Sequence, residues 1–168
     1  MKALSLWQPW ATLMAIEAKR NETRGWRWAY VGDVAICAAA KKLGQNIPED
    51  WIPALRRLYE FKDTITPGFR GDVRDLYYSL PFGQVVCVVE KFDCRSTTDD
   101  NGDDRSLTPL ELDLGNYGPY RFYFPTRNCR RLKTPVPVFG RQGPFELPPS
   151  VAAAVQGEVG NQLTPRTP

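Results

Sequence analysis

The run from Gln84 to Asp93, QVVCVVEKFD, constrains the fold of this chain more than any other stretch. It is almost continuously apolar and β-branched, and reads as the clearest strand in the sequence. Residues 33–39, DVAICAA, read as a second buried strand, introduced by the turn residues Gly32 and Asp33. A short alternating strand is expected over residues 3–7, and further strands over 117–125 and 127–133. Only two helices stand out. One starts at Gln8-Pro9, with proline where its missing N–H costs nothing, and runs to about Ala18. The other begins at Pro48-Glu49-Asp50, its acids facing the positive end of the helix dipole, and carries Trp51, Leu55, Leu58 and Tyr59 on its apolar face to about Phe61. Residues 62–83, rich in Gly, Pro, Asp and Arg, read as an irregular excursion. Val151 to Val155 read as a last helical turn, and from Gly157 onward the chain reads as a loose tail. Several strands with two helices predict an α+β, barrel-like fold, and 168 residues without internal repeats fit one domain plus a tail.

The absence of histidine excludes the most chemistry. It removes Ser-His-Asp and Cys-His catalysis, His-ligated zinc and any imidazole base. Cysteines stand at 37, 87, 94 and 129 with no C-x-x-C pair, so no zinc knuckle or thioredoxin motif is expected, and Cys37 and Cys87 read as buried small hydrophobes. The acidic run Asp99-Asp100-Asn101-Gly102-Asp103-Asp104 lacks the spacing of a calcium loop and reads as a solvated turn. No metal or cofactor is expected. The start MKALSLWQPW does not read as a signal peptide, and no stretch approaches the ~20 apolar residues of a membrane span. A cytoplasmic protein with reduced thiols and no membrane association is the expectation. The net charge is only +3, but Arg outnumbers Lys by 15 to 7, and Arg suits planar, bidentate phosphate contacts and stacking on bases.

The most unusual local composition lies between Lys19 and Trp28. Lys19, Arg20, Arg24 and Arg27 crowd around Glu22, with Trp26 and Trp28 beside them. If this segment is extended, Glu22, Arg24, Trp26 and Trp28 share one face. Two readings are open. Cation, acid and aromatic surface on one face make a site for a base and its phosphate; equally, the tryptophans are core residues and Glu22–Arg24 an internal ion pair. A second aromatic run, Tyr117, Tyr120, Arg121, Phe122 and Tyr123, alternates so that Tyr120, Phe122 and Phe124 face one way and Arg121 and Tyr123 the other. Arg127, Arg130, Arg131, Lys133 and Arg141 form a basic patch suited to an anionic partner, or simply a solvated surface.

Ala3-Leu4-Ser5-Leu6-Trp7-Gln8-Pro9-Trp10-Ala11, followed by Lys19-x-x-Glu22-x-Arg24, resembles the start of an ASCH domain, the activating-signal-cointegrator homology family. Tyr30-x-Gly32-x-x-Ala35-Ile36, the strand 84–93, the stretch from Gly118 to Phe124, and Pro135-Val136-Pro137 leading to Gly140-Arg141-Gln142-Gly143-Pro144-Phe145 extend the resemblance in order over residues 2–149. It implies a PUA-like fold, a small, partly open β-barrel with flanking helices, over residues 1–149, with 150–168 as a loosely ordered tail. It also implies a cleft for RNA or a nucleobase, lined by Lys19, Glu22 and Arg24 where the first helix ends. There are departures. The family's motif glycine is Glu17 here. In the members that deacylate N4-acylated cytidine nucleosides, a Thr takes the place of Glu22 and a second Glu comes from a later segment, for which Glu111 and Glu90 are both candidates. A histidine common in the family is absent, with Ala38 near its place.

The expected function is therefore binding of RNA, single-stranded nucleic acid or a modified nucleoside. Lys19, Glu22 and Arg24 would contact the ligand, an aromatic from Trp7, Trp26 or Tyr120 would stack on it, and Arg121 would assist. The alternatives are a small amidohydrolase acting on an acylated cytidine, with Lys19 and Glu22 as the catalytic residues, or a ribonuclease. Oligomeric state is left open.

Overall fold

The computed structural model describes residues 1–44, 47–98 and 107–163. Its strands are β1 (Lys2–Leu6), β2 (Asn21–Arg24), β3 (Gly32–Ala38), β4 (Gln84–Lys91), β5 (Arg95–Ser96), β6 (Phe122–Pro137) and β7 (Pro144–Glu146). The helices are α1 (Trp10–Ala15), α2 (Ile52–Glu60, entered through a 3-10 turn at Glu49–Trp51), α3 (Lys62–Ile65), α4 (Val73–Ser79), α5 (Pro109–Leu114) and α6 (Pro149–Leu163). This is the expected α+β class, with more helix than foreseen. The acidic run from Asp99 to Asp104 lies outside the described residues.

The strands form one curled sheet in the order β2-β6-β4-β3-β1-β7, with β5 also paired to β6. β1 and β3 are parallel and the other pairings antiparallel. β6 is the strand that curls it. Its first half carries β2 on one side and β5 on the other, while from Thr126 onward it pairs with β4. Asn128, at φ 51°, sits in a register shift early in the β4-paired half, and such an irregularity bends a strand and adds twist. The result is a half-barrel in which β1, next to the edge strand β7, approaches the edge strand β2 at the mouth, where the Arg24 guanidinium donates to Ser5 O at 2.9 Å.

The apolar runs in β3 and β4 are continuous because both faces of the sheet are covered. Val34, Ile36 and Val89 turn inward with Leu4 and Leu6 against Met14 and Ala15 of α1. Ala35, Cys37, Val85 and Val88 turn outward against Val155 and Val159 of α6. That outer layer corrects the expected loose tail as far as Leu163; residues 164–168 lie outside the described residues. Val151, Val155 and Val159 make a stripe at helical spacing, and their burial against the sheet outweighs the roughly 1 kcal/mol that Gly157 and Gly160 each cost a helix.

The excursion over 62–83 is likewise not irregular. It folds as α3 and α4, and Leu76, Tyr77 and Leu80 pack on Leu55 and Leu58 of α2. α4 starts on a reciprocal cap: Asp72 Oδ1 accepts from the N–H groups of Arg74 and Asp75, and Asp75 Oδ2 accepts from Asp72 N–H. No helix of the described residues is long and apolar enough to cross a membrane.

Candidate functional site

The site begins at the end of α1. Ile16 closes the helix and Glu17 takes a left-handed backbone, φ 59°. Glu17 N–H then donates to Met14 O and Lys19 N–H to Leu13 O, both at 3.0 Å, an ending in which a left-handed residue satisfies the last carbonyls. That turn delivers Lys19 beneath the helix and starts β2. Alternation along β2 puts Glu22 and Arg24 on one face, as expected. Glu111 of α5 pins the strand's first residues, its carboxylate accepting from Arg20 N–H at 2.5 Å and Asn21 N–H at 3.3 Å.

Lys19, Glu22 and Arg24 form a chain of charges. The Lys19 ammonium donates to Asn21 O and sits 3.7 Å from Glu22 Oε2, while Glu22 Oε1 lies 3.0 Å from Arg24 Nη2. Exposure rises along the chain: the side chains are 1%, 11% and 28% exposed. Arg24 Nε is buried without a hydrogen-bond partner, an arrangement that native structures seldom leave unexplained.

All three residues line one open cavity of about 620 Å³. One wall is aromatic. Trp51 stands edge-on to Trp7 (centroids 5.5 Å apart) and to Trp10 (4.6 Å), and the Lys41 ammonium lies 5.5 Å from the centre of the half-exposed Trp7 ring. The facing wall is the segment from Leu114 to Tyr117, which follows α5. Gly115 permits its close approach, since a β-carbon there would come within 3.0 Å of Thr23 Cγ2. Thr23 Oγ1 accepts from Asn116 N–H at 3.1 Å, fixing the wall to β2. Burial, and then the charge of Glu111, push the Tyr117 phenol well above its ordinary range, so it stays a protonated donor. The lining carries Lys19 and Arg24 against Glu22, Asp50 and Asp113, and Asp113 is paired with Arg57 at 2.8 Å. The cavity is therefore close to charge-balanced, with donors and acceptors side by side.

Of the residues singled out in the sequence, Trp7, Lys19, Glu22 and Arg24 meet here. Trp26 does not line the cavity; it packs on Phe124 at 5.5 Å and on Trp28 at 6.3 Å, against the barrel core. Tyr120 and Arg121 lie outside it too, on the turn before β6, where Arg121 Nε donates to Asn116 O at 2.9 Å. The expected alternation does not reach Tyr120 and Arg121, because β6 starts at Phe122; within it Phe124 packs on Trp26 and Trp28 and Tyr123 on Tyr117, so both are buried.

Neither later acid reaches the cavity. Glu111 is committed to the backbone of residues 20 and 21, and Glu90 to Arg127 at 2.6 Å and Asn128 at 2.5 Å. The basic patch is partly neutralised: Arg127 pairs with Glu90 and Arg130 with Asp33, while Arg131 donates to the carbonyls of Thr64 and Ile65. Sequence reasoning missed Trp10 and Trp51 as walls, assigning them to helix faces; their spacing from Trp7 carries no signal until α2 folds against α1. Among the described residues no cluster of three or more Cys, Asp or Glu is arranged to hold a metal ion. Compared with known proteins, the chain matches no family model and no curated sequence.

Proposed function

We propose that this is a protein of the ASCH type, with a PUA-like barrel, that holds a nucleobase in the cavity of Lys19, Glu22 and Arg24. The base belongs to RNA, to another single-stranded nucleic acid or to a modified nucleoside, and the protein acts in the cytoplasm. One observation carries the reading: three charged side chains close together in the sequence converge on one open, aromatic-walled cavity. At about 620 Å³ it has the size typical of small-molecule sites. Its balance of charge suits a flat, neutral ligand with a mixed edge better than a bare phosphate. Glu22 accepts from an amine, the partly exposed Arg24 guanidinium donates to a carbonyl, and Trp7 offers a face for stacking. The left-handed backbone of Glu17 supports the resemblance as well, because the family's motif has glycine there, the residue for which that conformation is free of strain.

Titrating the protein with ribonucleosides and with short single-stranded RNA, read by tryptophan fluorescence, tests the reading. Saturable binding that Arg24→Gln weakens at least tenfold is expected. No binding of any nucleoside or strand would end it.

A second reading, amidohydrolysis of an N4-acylcytidine, is favoured by the burial of the Lys19 amine beside the Glu22 carboxylate at the cavity floor. Release of cytidine from N4-acetylcytidine by the purified protein, lost in Lys19→Ala, is its expected sign; absence of turnover removes it.

A further inference from the structure

Resting on that reading, we propose that the cavity is one station on a track for single-stranded nucleic acid, with Tyr120 and Phe139 as stacking platforms for bases neighbouring the one it holds. These are the two most exposed large hydrophobic side chains of the described residues, 82% and 97% exposed, with the next, Val31, at 59%. An isolated exposed aromatic is unremarkable by itself. Here both stand on loops that abut the same charged chain.

Gly140, next to Phe139, lies so close to β1 that a β-carbon there would come within 2.6 Å of Ser5 Oγ, and Ser5 O accepts from Arg24. On the other loop, Arg121, next to Tyr120, brings Nη1 to 3.9 Å from where a β-carbon of Gly25 would stand, and its Nε is bonded to Asn116 of the cavity wall. Tyr120 is also held at φ 61°, a backbone region in which a bulky residue is a true outlier. The fold thus holds a ring in solvent in a strained conformation without gaining any packing from it. Such strain is retained mostly at functional sites.

Each loop is accompanied by an exposed cation close by along the chain or along the segment it abuts. Arg141 follows Gly140, and Arg27 follows Gly25 by two residues; both are exposed and make no ion pair among the described residues. Rings for successive bases with free guanidinium groups for the phosphates between them are the elements of a sequence-tolerant strand-binding surface. The nearly neutral cavity leaves those phosphates no partner inside, so the charge must be met at the rim.

Fluorescence anisotropy with the full chain and a labelled RNA of about eight nucleotides, set beside titrations with the common ribonucleosides, tests the proposal. Tyr120→Asn, which tolerates the left-handed backbone, and Phe139→Ser are the variants, and since the exposed rings have no packing to lose, neither lowers the thermal melt. The strand is expected to bind at least about tenfold tighter than any nucleoside, with each variant losing about tenfold on the strand and nothing on the nucleoside. Nucleoside binding without a tighter strand overturns the track and leaves the cavity reading standing. A tight strand indifferent to both variants overturns the platforms. Failure of both ligands to bind overturns the track together with the reading beneath it.

Discussion

Replacing Glu17 with glycine is expected to stabilise the protein, and the size of the effect follows from its backbone. Glu17 stands at φ 59° with its side chain exposed and in no hydrogen bond or ion pair among the described residues. Holding an L-residue with a β-carbon in that conformation costs about 1–2 kcal/mol. Glycine removes the strain but gives the unfolded chain more freedom, which returns about 0.4–1 kcal/mol. The net gain is about 0.5–1 kcal/mol. For a chain of this length that raises the melting temperature by about 1–4 °C. The carboxylate also lies at the negative end of α1, and its removal adds at most a few tenths of a kcal/mol in so short a helix. Glu17→Ala separates the two terms, since it removes the charge and keeps the β-carbon. Urea and thermal melts of the three proteins at one pH, followed by circular dichroism, measure the difference. Glycine should exceed alanine, and alanine should lie close to the parent. Equal stability of the two variants, or a glycine variant less stable than the parent, would refute the left-handed turn as the source of strain. Lys19 is held through its own backbone bond to Leu13 O, so ligand affinity is expected to stay as it is.

Glu22→Gln leaves the buried Lys19 ammonium without its carboxylate, and a loss of about 2 kcal/mol is expected, below the roughly 3–5 kcal/mol for a fully buried pair because Arg24 is partly solvated and Lys19 keeps its bond to Asn21 O. Lys19→Met combined with Glu22→Gln should recover part of that loss in a urea melt, and a double variant no more stable than Glu22→Gln alone would contradict the pairing. Among the thiols, burial pushes Cys37 up to about 12 and raises Cys87 strongly, while a hydrogen bond from Cys87 pulls half-buried Cys129 down. Iodoacetamide should therefore modify Cys129 and half-exposed Cys94 in the native protein and reach Cys37 and Cys87 only after unfolding, as mass spectrometry will read. Glu90, Asp93 and Glu146 are held below the ordinary carboxylate range by hydrogen bonds from Arg127, Arg95 and Lys2 respectively. Carboxylates lowered in the folded state add stability that is complete above their unfolded values, about pH 4, and is lost as pH falls through the shifted ones. The melting temperature should accordingly drop below about pH 4, less steeply in high salt; a flat profile from pH 5 down to about 2 would contradict these pairings.

The parts of the fold legible in the sequence were those whose pattern is set by their immediate surroundings. β3 and β4 are apolar on both faces because α1 covers one and α6 the other, so their runs announced buried strands. The helix over Ile52–Glu60 showed its stripe through Leu55 and Leu58. Helices of six or seven residues, α4 and α5, carry too few turns to show a period. Their caps, Asp72 with Asp75 and Thr108 before Pro109, were the available signals. β6 was read as two strands, over 117–125 and 127–133, whereas the backbone runs as one strand from Phe122 through the irregularity near Asn128 to Pro137.

At the site, the sequence by itself determined the trio of Lys19, Glu22 and Arg24. Two are neighbours on one strand face, and the third is a short turn away, so local geometry suffices to join them. It could not determine that Trp10 and Trp51 would form the wall or that Trp26 would turn into the core, because these depend on α2 packing against α1 and on the curl of β6. Nor could it show that Glu111 would be spent on the backbone of residues 20 and 21, a contact across some ninety residues of chain. Local alternation chooses which side chains share a face. Only the closing of the sheet, driven by burial of apolar surface with no sequence period of its own, decides whether that face meets solvent, a partner or a cavity.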